Sequence, residues 1–311
     1  MMTPGHSLSH GRTLQPNTES LASTYLLQRD EGTALPVSSG VQFRTSRDGV
    51  LRTVGSVFQL PIDDGIENWG ASEARVLWRM HERSGANAAA RGKVAYVDHL
   101  CRSAVYQMTS EGESLVACGN ATAAAAAMIS RNSGAASPRI HLRVPGASIT
   151  VDAATRFGGE LSTVDQIWTI HAGCSASERL IGAQPVHYVE FLNSYLIVPH
   201  PLAVDPSYLM GLASRDLGLP LPQVKVAVVD PSNLIPSVEF YGANGRHGAA
   251  PQTGLVTLAL AATTISWLRV LAKAGVIQHP GGIEILPKIE PKGSGMVCAH
   301  MPSVNVQFAP L

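Results

Sequence analysis

Cys118, in the run Ala117-Cys118-Gly119-Asn120, stands at the head of an alanine-rich stretch, Ala121 to Arg131, that reads as a helix. The N–H groups that open a helix have no intrahelical partners and carry partial positive charge. A thiol placed there is favoured as thiolate, and a carboxylate is favoured as a bound ligand. Gly119 lets an anion approach the backbone closely, and Asn120 offers an amide donor beside it. The five consecutive alanines Ala123 to Ala127 have so little bulk that this helix suits a tightly packed central position. A lone cysteine beside alanines is equally what an inert, buried small hydrophobe looks like, and local sequence leaves both readings open.

A second segment pairs with the first as a faint internal repeat. Ala250-Pro251-Gln252-Thr253-Gly254 is a short polar turn that opens an apolar helix, as Ala117 to Ala121 does. Lys93, in the stretch Gly85 to Val97, reads on local sequence as a solvated lysine at a strand edge. His247, between Arg246 and Gly248, is a polar ligand partner or a turn histidine. His279, before Pro280, Gly281 and Gly282, is expected to fix a turn. His171 with Cys174 and Cys298 with His300 lack the spacing of a zinc motif, so no metal is assigned.

The elements that must position these groups follow from the apolar pattern. Strands are expected at Val41 to Arg44, Val94 to Val97, Arg139 to Val144, His187 to Phe191, Tyr195 to Val198 and Val224 to Val229. Helices are expected at Ala71 to Arg83, Ala121 to Arg131, Pro206 to Leu217 and Gly254 to Ala274. Strands mixed with a few long helices indicate an α+β class. The Ser, Gly and Ala-rich stretch Asn132 to Pro138 is the expected domain boundary, giving a loose tail over 1–20, a first domain over 21–137 and a second over 138–311, whose last segment packs back on the first.

Composition limits the partners. At 311 residues, two domains are the natural expectation, and 45% apolar against 15% charged residues describes a chain with a large core. Lysine plus arginine balance aspartate plus glutamate at 23 each, so no strong field draws the protein to nucleic acid or an anionic membrane, and a small molecule is the expected partner. Cys101, Cys118, Cys174 and Cys298 are too scattered for a disulfide framework, which points to reduced thiols and a cytoplasmic location. Residues 1–20 lack the apolar core of a signal peptide, and the apolar run Leu255 to Leu268 is short for a bilayer and reads as a buried helix.

Cys118-Gly119-Asn120 followed by a small-residue helix resembles the first active-site motif of the diaminopimelate epimerase superfamily. In the epimerases a matching Ala-Cys-Gly-Thr-Gly segment in the second half supplies a second thiol, whereas here Pro251 stands in that place. The run His247-Gly248-Ala249-Ala250-Pro251-Gln252-Thr253-Gly254 is instead similar, without a gap, to the His-Lys-Ala-x-Pro-x-Thr-Gly motif of the PrpF-type isomerases, among them 2-methylaconitate isomerase and 4-oxalomesaconate tautomerase. Other landmarks follow in order over roughly residues 40 to 290. Arg44-Thr45-Ser46-Arg47 resembles an Arg-Gly-Gly-Thr-Ser loop, Leu60-Pro61 follows, Lys93 falls at the family's catalytic lysine, and His279-Pro280-Gly281-Gly282 is similar to a His-Pro-Ser-Gly turn. Ala89, Ala90, Arg91 and Gly92 replace the hydroxyl residues usual before that lysine, and the segment between Cys118 and His247 is shorter than is usual for the family.

The resemblance implies two pseudo-symmetric α/β domains, each with a sheet wrapped around a central helix. It implies an isomerase without cofactor that shifts a proton or double bond in an unsaturated di- or tricarboxylate, with Cys118 and Lys93 as the acid/base pair. Gly119, Asn120, His247, Thr253, Gly254, Arg44 and Ser46 would hold the substrate, with Arg246 as an alternative to Arg44. A homodimer is compatible with this reading. Two alternatives stay open: an amino-acid racemase or epimerase of the same superfamily, and a non-catalytic carboxylate-binding relative.

Overall fold

A computed structural model describes residues 25–28, 34–37, 39–60, 93–98, 104–108, 117–144, 147–171, 175–293 and 295–310. The expected helix at Ala71 to Arg83, the tail over 1–20, and Cys101 and Cys174 lie outside the described residues.

The strands β1 (Tyr25–Gln28) and β2 (Ala34–Val37) form a small hairpin. A large sheet then takes β3 (Ser39–Arg47), β4 (Val50–Leu60), β5 (Lys93–Asp98), β6 (Ala104–Met108), β7 (Arg139–Val144), β8 (Ala147–Gly158) and β9 (Leu161–His171) in sequence order. The second sheet is built from β10 (Ser175–Ile181), β11 (Gln184–Glu190), β12 (Ser194–Pro199), β13 (Val224–Asp230), β14 (Ser237–Gly242), β15 (Gly245–Arg246), β16 (Val276–His279) and β17 (Gly282–Ile285). The last strands, β18 (Lys288–Pro291) and β19 (Met296–Pro310), return to the first sheet. Because β19 pairs with both β3 and β9, the first sheet closes on itself.

The ring closes around one helix, α1 (Gly119–Ser133), whose residues from Ala121 to Ser130 are all buried. Side chains explain the choice. A closed sheet leaves little room at its axis, and a run of alanines fills that space without overpacking, which larger residues would cause at a cost of about 1–3 kcal/mol. Phe43, Ile140, Val151, Trp168 and Val306, from strands around the ring, complete the core.

The second sheet uses the strand period of two to serve two faces. Leu196, Val198, Val224, Val226 and Val228 point to α2 (Pro206–Leu217), while Tyr195, Ile197, Ala227 and Val229 point to α3 (Gln252–Thr264) and α4 (Arg269–Ala274). Helix α2 starts where expected, because the Asp205 carboxylate accepts from Ser207 N–H at 2.8 Å and from Tyr208 N–H at 3.2 Å, and Pro206 fits the first turn. The expected single helix from Gly254 to Ala274 is instead a bent pair, turning by 116° beyond Thr264. Among the described residues no single helix is long and apolar enough to cross a membrane.

Beyond the stretch Asn132 to Pro138, β7, β8 and β9 pair within the first sheet, and the chain passes to the second sheet between β9 and β10. The Ser and Gly-rich stretch is a helix end, with Gly134 in the left-handed conformation at φ 71° returning its N–H to the Ser130 carbonyl at 3.0 Å.

Candidate functional site

Helices α1 and α3 meet between the two sheets. Val256 and Leu260, one turn apart on α3, enter the apolar cluster built around α1, while Leu255, Leu258 and Ala262 face their own sheet. Helix α3 is therefore buried on both sides, and its N-terminus is brought against that of α1.

At the first of these termini, Cys118 is the flanking residue in extended conformation, and its carbonyl accepts from Thr122 N–H at 2.9 Å and from the Thr122 hydroxyl at 3.0 Å. The N–H groups of Gly119, Asn120 and Ala121 consequently have no partner within the helix. Cys118 carries a half-buried thiol. The start of α1 is braced from two directions. The Asn120 amide donates to the Thr53 hydroxyl of β4 at 2.9 Å, and Gln166 of β9 donates to the Gly119 carbonyl at 3.2 Å while accepting from the Trp168 indole at 3.0 Å. One Asn120 donor is thus committed to positioning the helix.

At the second terminus, Pro251 flanks α3 and accepts from Leu255 N–H at 3.0 Å, which leaves the N–H groups of Gln252, Thr253 and Gly254 without intrahelical partners. The Thr253 hydroxyl accepts from the Asn193 amide at 3.5 Å and is hydrogen-bonded to the Tyr195 phenol, whose ionisation burial pushes well up. Gly254 is needed for packing, since a Cβ there would sit 2.7 Å from the Phe240 ring and 2.9 Å from the Tyr195 oxygen.

The termini touch at Gly119 and Gln252. A Cβ on Gly119 would lie 1.5 Å from Gln252 Oε1 and 2.5 Å from its Cδ, so any larger residue at 119 would displace the side chain that crosses from α3. Two helix starts therefore meet here, with Cys118, Gly119 and Asn120 on one side and Gln252, Thr253 and Gly254 on the other.

The remaining candidates are placed differently. Lys93 is the first residue of β5, beside Gly55 in parallel register, on a strand that packs against α1; its side chain lies outside the described residues, as does the loop from Gly85 to Gly92. Arg44 and Ser46 alternate with buried Phe43 and Thr45, so they sit on the opposite face of β3 from the start of α1, and Arg44 is exposed. The His247 ring lies over Gly242 and beside Lys225, near the β14–β15 turn, and Arg246 pairs with Glu239 at 3.2 Å on the surface. His279 Nδ1 accepts from Gly281 N–H at 3.1 Å inside the β16–β17 turn.

Close by, Arg47 and Arg52 flank the buried Glu284 carboxylate, Arg47 at 3.1 Å. The β3–β4 hairpin makes this possible. Asp48 and Gly49, both at positive φ, form its two-residue turn and project the arginines toward β17. Arg47 also donates to the carbonyls of Pro302 and Ser303, which sit in the bulge of β19. The local pattern Arg-Asp-Gly marks the hairpin in the sequence, but its long-range partner is not marked. Gln166, Asn193 and Tyr195 carry no local signal of their place near the helix starts.

No family model and no curated protein matches the chain. Solved structures similar to it include a phenazine biosynthesis PhzC/PhzF protein from Clostridium difficile, 14% identical, over 87% of this chain and 99% of the other, with a TM-score of 0.51. A predicted epimerase from Pseudomonas aeruginosa is 13% identical over 88% of this chain and 98% of its own, with a TM-score of 0.49. The first likeness establishes the fold as diaminopimelate epimerase-like, the class expected from the Cys118 motif.

Proposed function

We propose that the chain is a cofactor-independent isomerase or tautomerase acting on an unsaturated di- or tricarboxylic acid. The observation that carries this reading is the meeting of two helix N-termini at Gly119 and Gln252, with the Cys118 thiol at the first. The fold shared with a protein described as a phenazine biosynthesis PhzC/PhzF protein is consistent with it. The unbroken run from His247 to Gly254, with Pro251 in place of a second thiol, favours the PrpF-type branch over a two-cysteine racemase.

The reaction moves a proton within an allylic system. A base removes it from a carbon next to the double bond, the electron pair spreads into the neighbouring carboxylate as a dienolate, and an acid returns a proton at the other end. No atom or electron is gained or lost overall. The N–H groups without intrahelical partners at the starts of α1 and α3 oppose the charge that develops. Cys118 and Lys93 take the acid and base roles.

The test is exchange of solvent deuterium into cis-aconitate, itaconate and mesaconate, followed by proton NMR. Exchange is expected with the parent protein, and a loss of about a hundredfold or more in Cys118→Ser and Lys93→Ala. No exchange into any of these acids, or equal exchange in both variants and the parent, overturns the proposal.

A further inference from the structure

Gln252 is only 5% exposed, yet both its Oε1 and its Nε2 are buried without a hydrogen-bond partner among the described residues. Buried amides are almost always paired, so this one needs an explanation. Its neighbours do not share the condition. Asn120 is held by Thr53, Gln166 by Gly119 and Trp168, and Thr253 by Asn193 and Tyr195. Gln252 is the polar side chain of this group that crosses from one helix start to the other, against Gly119, with both ends unsatisfied among the described residues.

We infer that Gln252 is a ligand-contacting residue, whose amide donates to a carboxylate held between the N-termini of α1 and α3. The inference rests on the isomerase reading only in taking this meeting point as the ligand site. Six backbone N–H groups without intrahelical partners, on residues 119–121 and 252–254, make the meeting of the two helix starts favourable for an anion. A carboxylate accepts from Nε2 and from the helix N–H groups at once, which satisfies a donor that the ligand-free protein leaves unpaired.

An unpaired buried amide costs stability in the free protein and contributes affinity in the complex, so one substitution should move the two readouts in opposite directions. Gln252→Met keeps the length of the side chain and removes its hydrogen-bonding atoms. Its thermal midpoint is expected above that of the parent, while its affinity for cis-aconitate, measured by titration calorimetry, falls about tenfold or more. Gln252→Glu, which places a negative charge against the ligand, is expected to weaken binding further. Unchanged affinity in Gln252→Met overturns the inference, as does a parent protein that binds inorganic phosphate but neither cis-aconitate nor maleate. Weakened binding in Gln252→Met beside a parent that exchanges no deuterium upholds the inference and removes the isomerase reading. Deuterium exchange by both proteins with the same KM does the reverse.

Discussion

Arg47, at the tip of the β3–β4 hairpin, places its guanidinium 3.1 Å from the carboxylate of Glu284 on β17, and so ties the closed sheet to the open one. Arg52 takes the other carboxylate oxygen, and Glu284 is 1% exposed. Two cations around one buried anion hold together only while the anion is present. Removing it leaves both arginines desolvated and mutually repelling, a situation that costs about 3–5 kcal/mol when a buried pair is broken. Glu284→Ala is therefore expected to lower unfolding stability by that amount in urea titrations. A loss under 1 kcal/mol would show that the three charges are solvated rather than buried.

His279 gives the fold a dependence on pH. Burial first, and the Arg52 charge second, push its pKa down to about 4 from an ordinary 6.5. The folded state thus binds the proton less readily than the unfolded chain, and stability falls as pH drops from 6.5 toward 4. Above 6.5 both states are neutral and the contribution is fully present. The residue is 1% exposed, so a loss on the order of 2 kcal/mol is expected across that window. His279→Gln should flatten the stability profile there, as followed by urea unfolding at a series of pH values. A slope equal to the parent's would assign the effect to other groups.

Local chemistry in the sequence accounts for the elements that begin and end on their own signals. Asp205, Pro206 and Gly218 bound a helix whose limits match the expected ones, and the apolar runs at 139–144 and 224–229 are strands at those positions. Where a signal has two meanings, local sequence does not choose between them. The stretch around Gly134 has the composition of a linker and is a helix cap, because whether the next strand joins the same sheet depends on residues far along the chain. Arg44 and Ser46 show the same limit: a shared motif places them in a loop, while strand alternation, set by pairing with β4 and β19, turns them away from α1. Cys118 and Gly119 were legible because a helix start is a local feature. Gln252 was not, since its burial and its contact with Gly119 arise only when α1 and α3 meet.

The field at that meeting point can be read through the thiol itself. Cys118 is half-buried at the start of α1, whereas Cys298 lies in the core, so an alkylating reagent should modify the first and spare the second in the folded protein. Two reagents of similar size separate simple access from electrostatic attraction. Iodoacetate carries a carboxylate, and iodoacetamide is neutral. Near two helix N-termini the anionic reagent is concentrated, so the ratio of its rate to that of iodoacetamide at Cys118 should exceed the ratio for free cysteine by several-fold, and the excess should shrink in high salt. Peptide mapping after short exposure isolates Cys118 from the other cysteines. Added cis-aconitate should slow both reagents if it binds beside Gly119. A rate ratio equal to that of free cysteine, unaffected by salt, would mean that the helix starts exert no field on the thiol, and the charge stabilisation assigned to them would have to be given up.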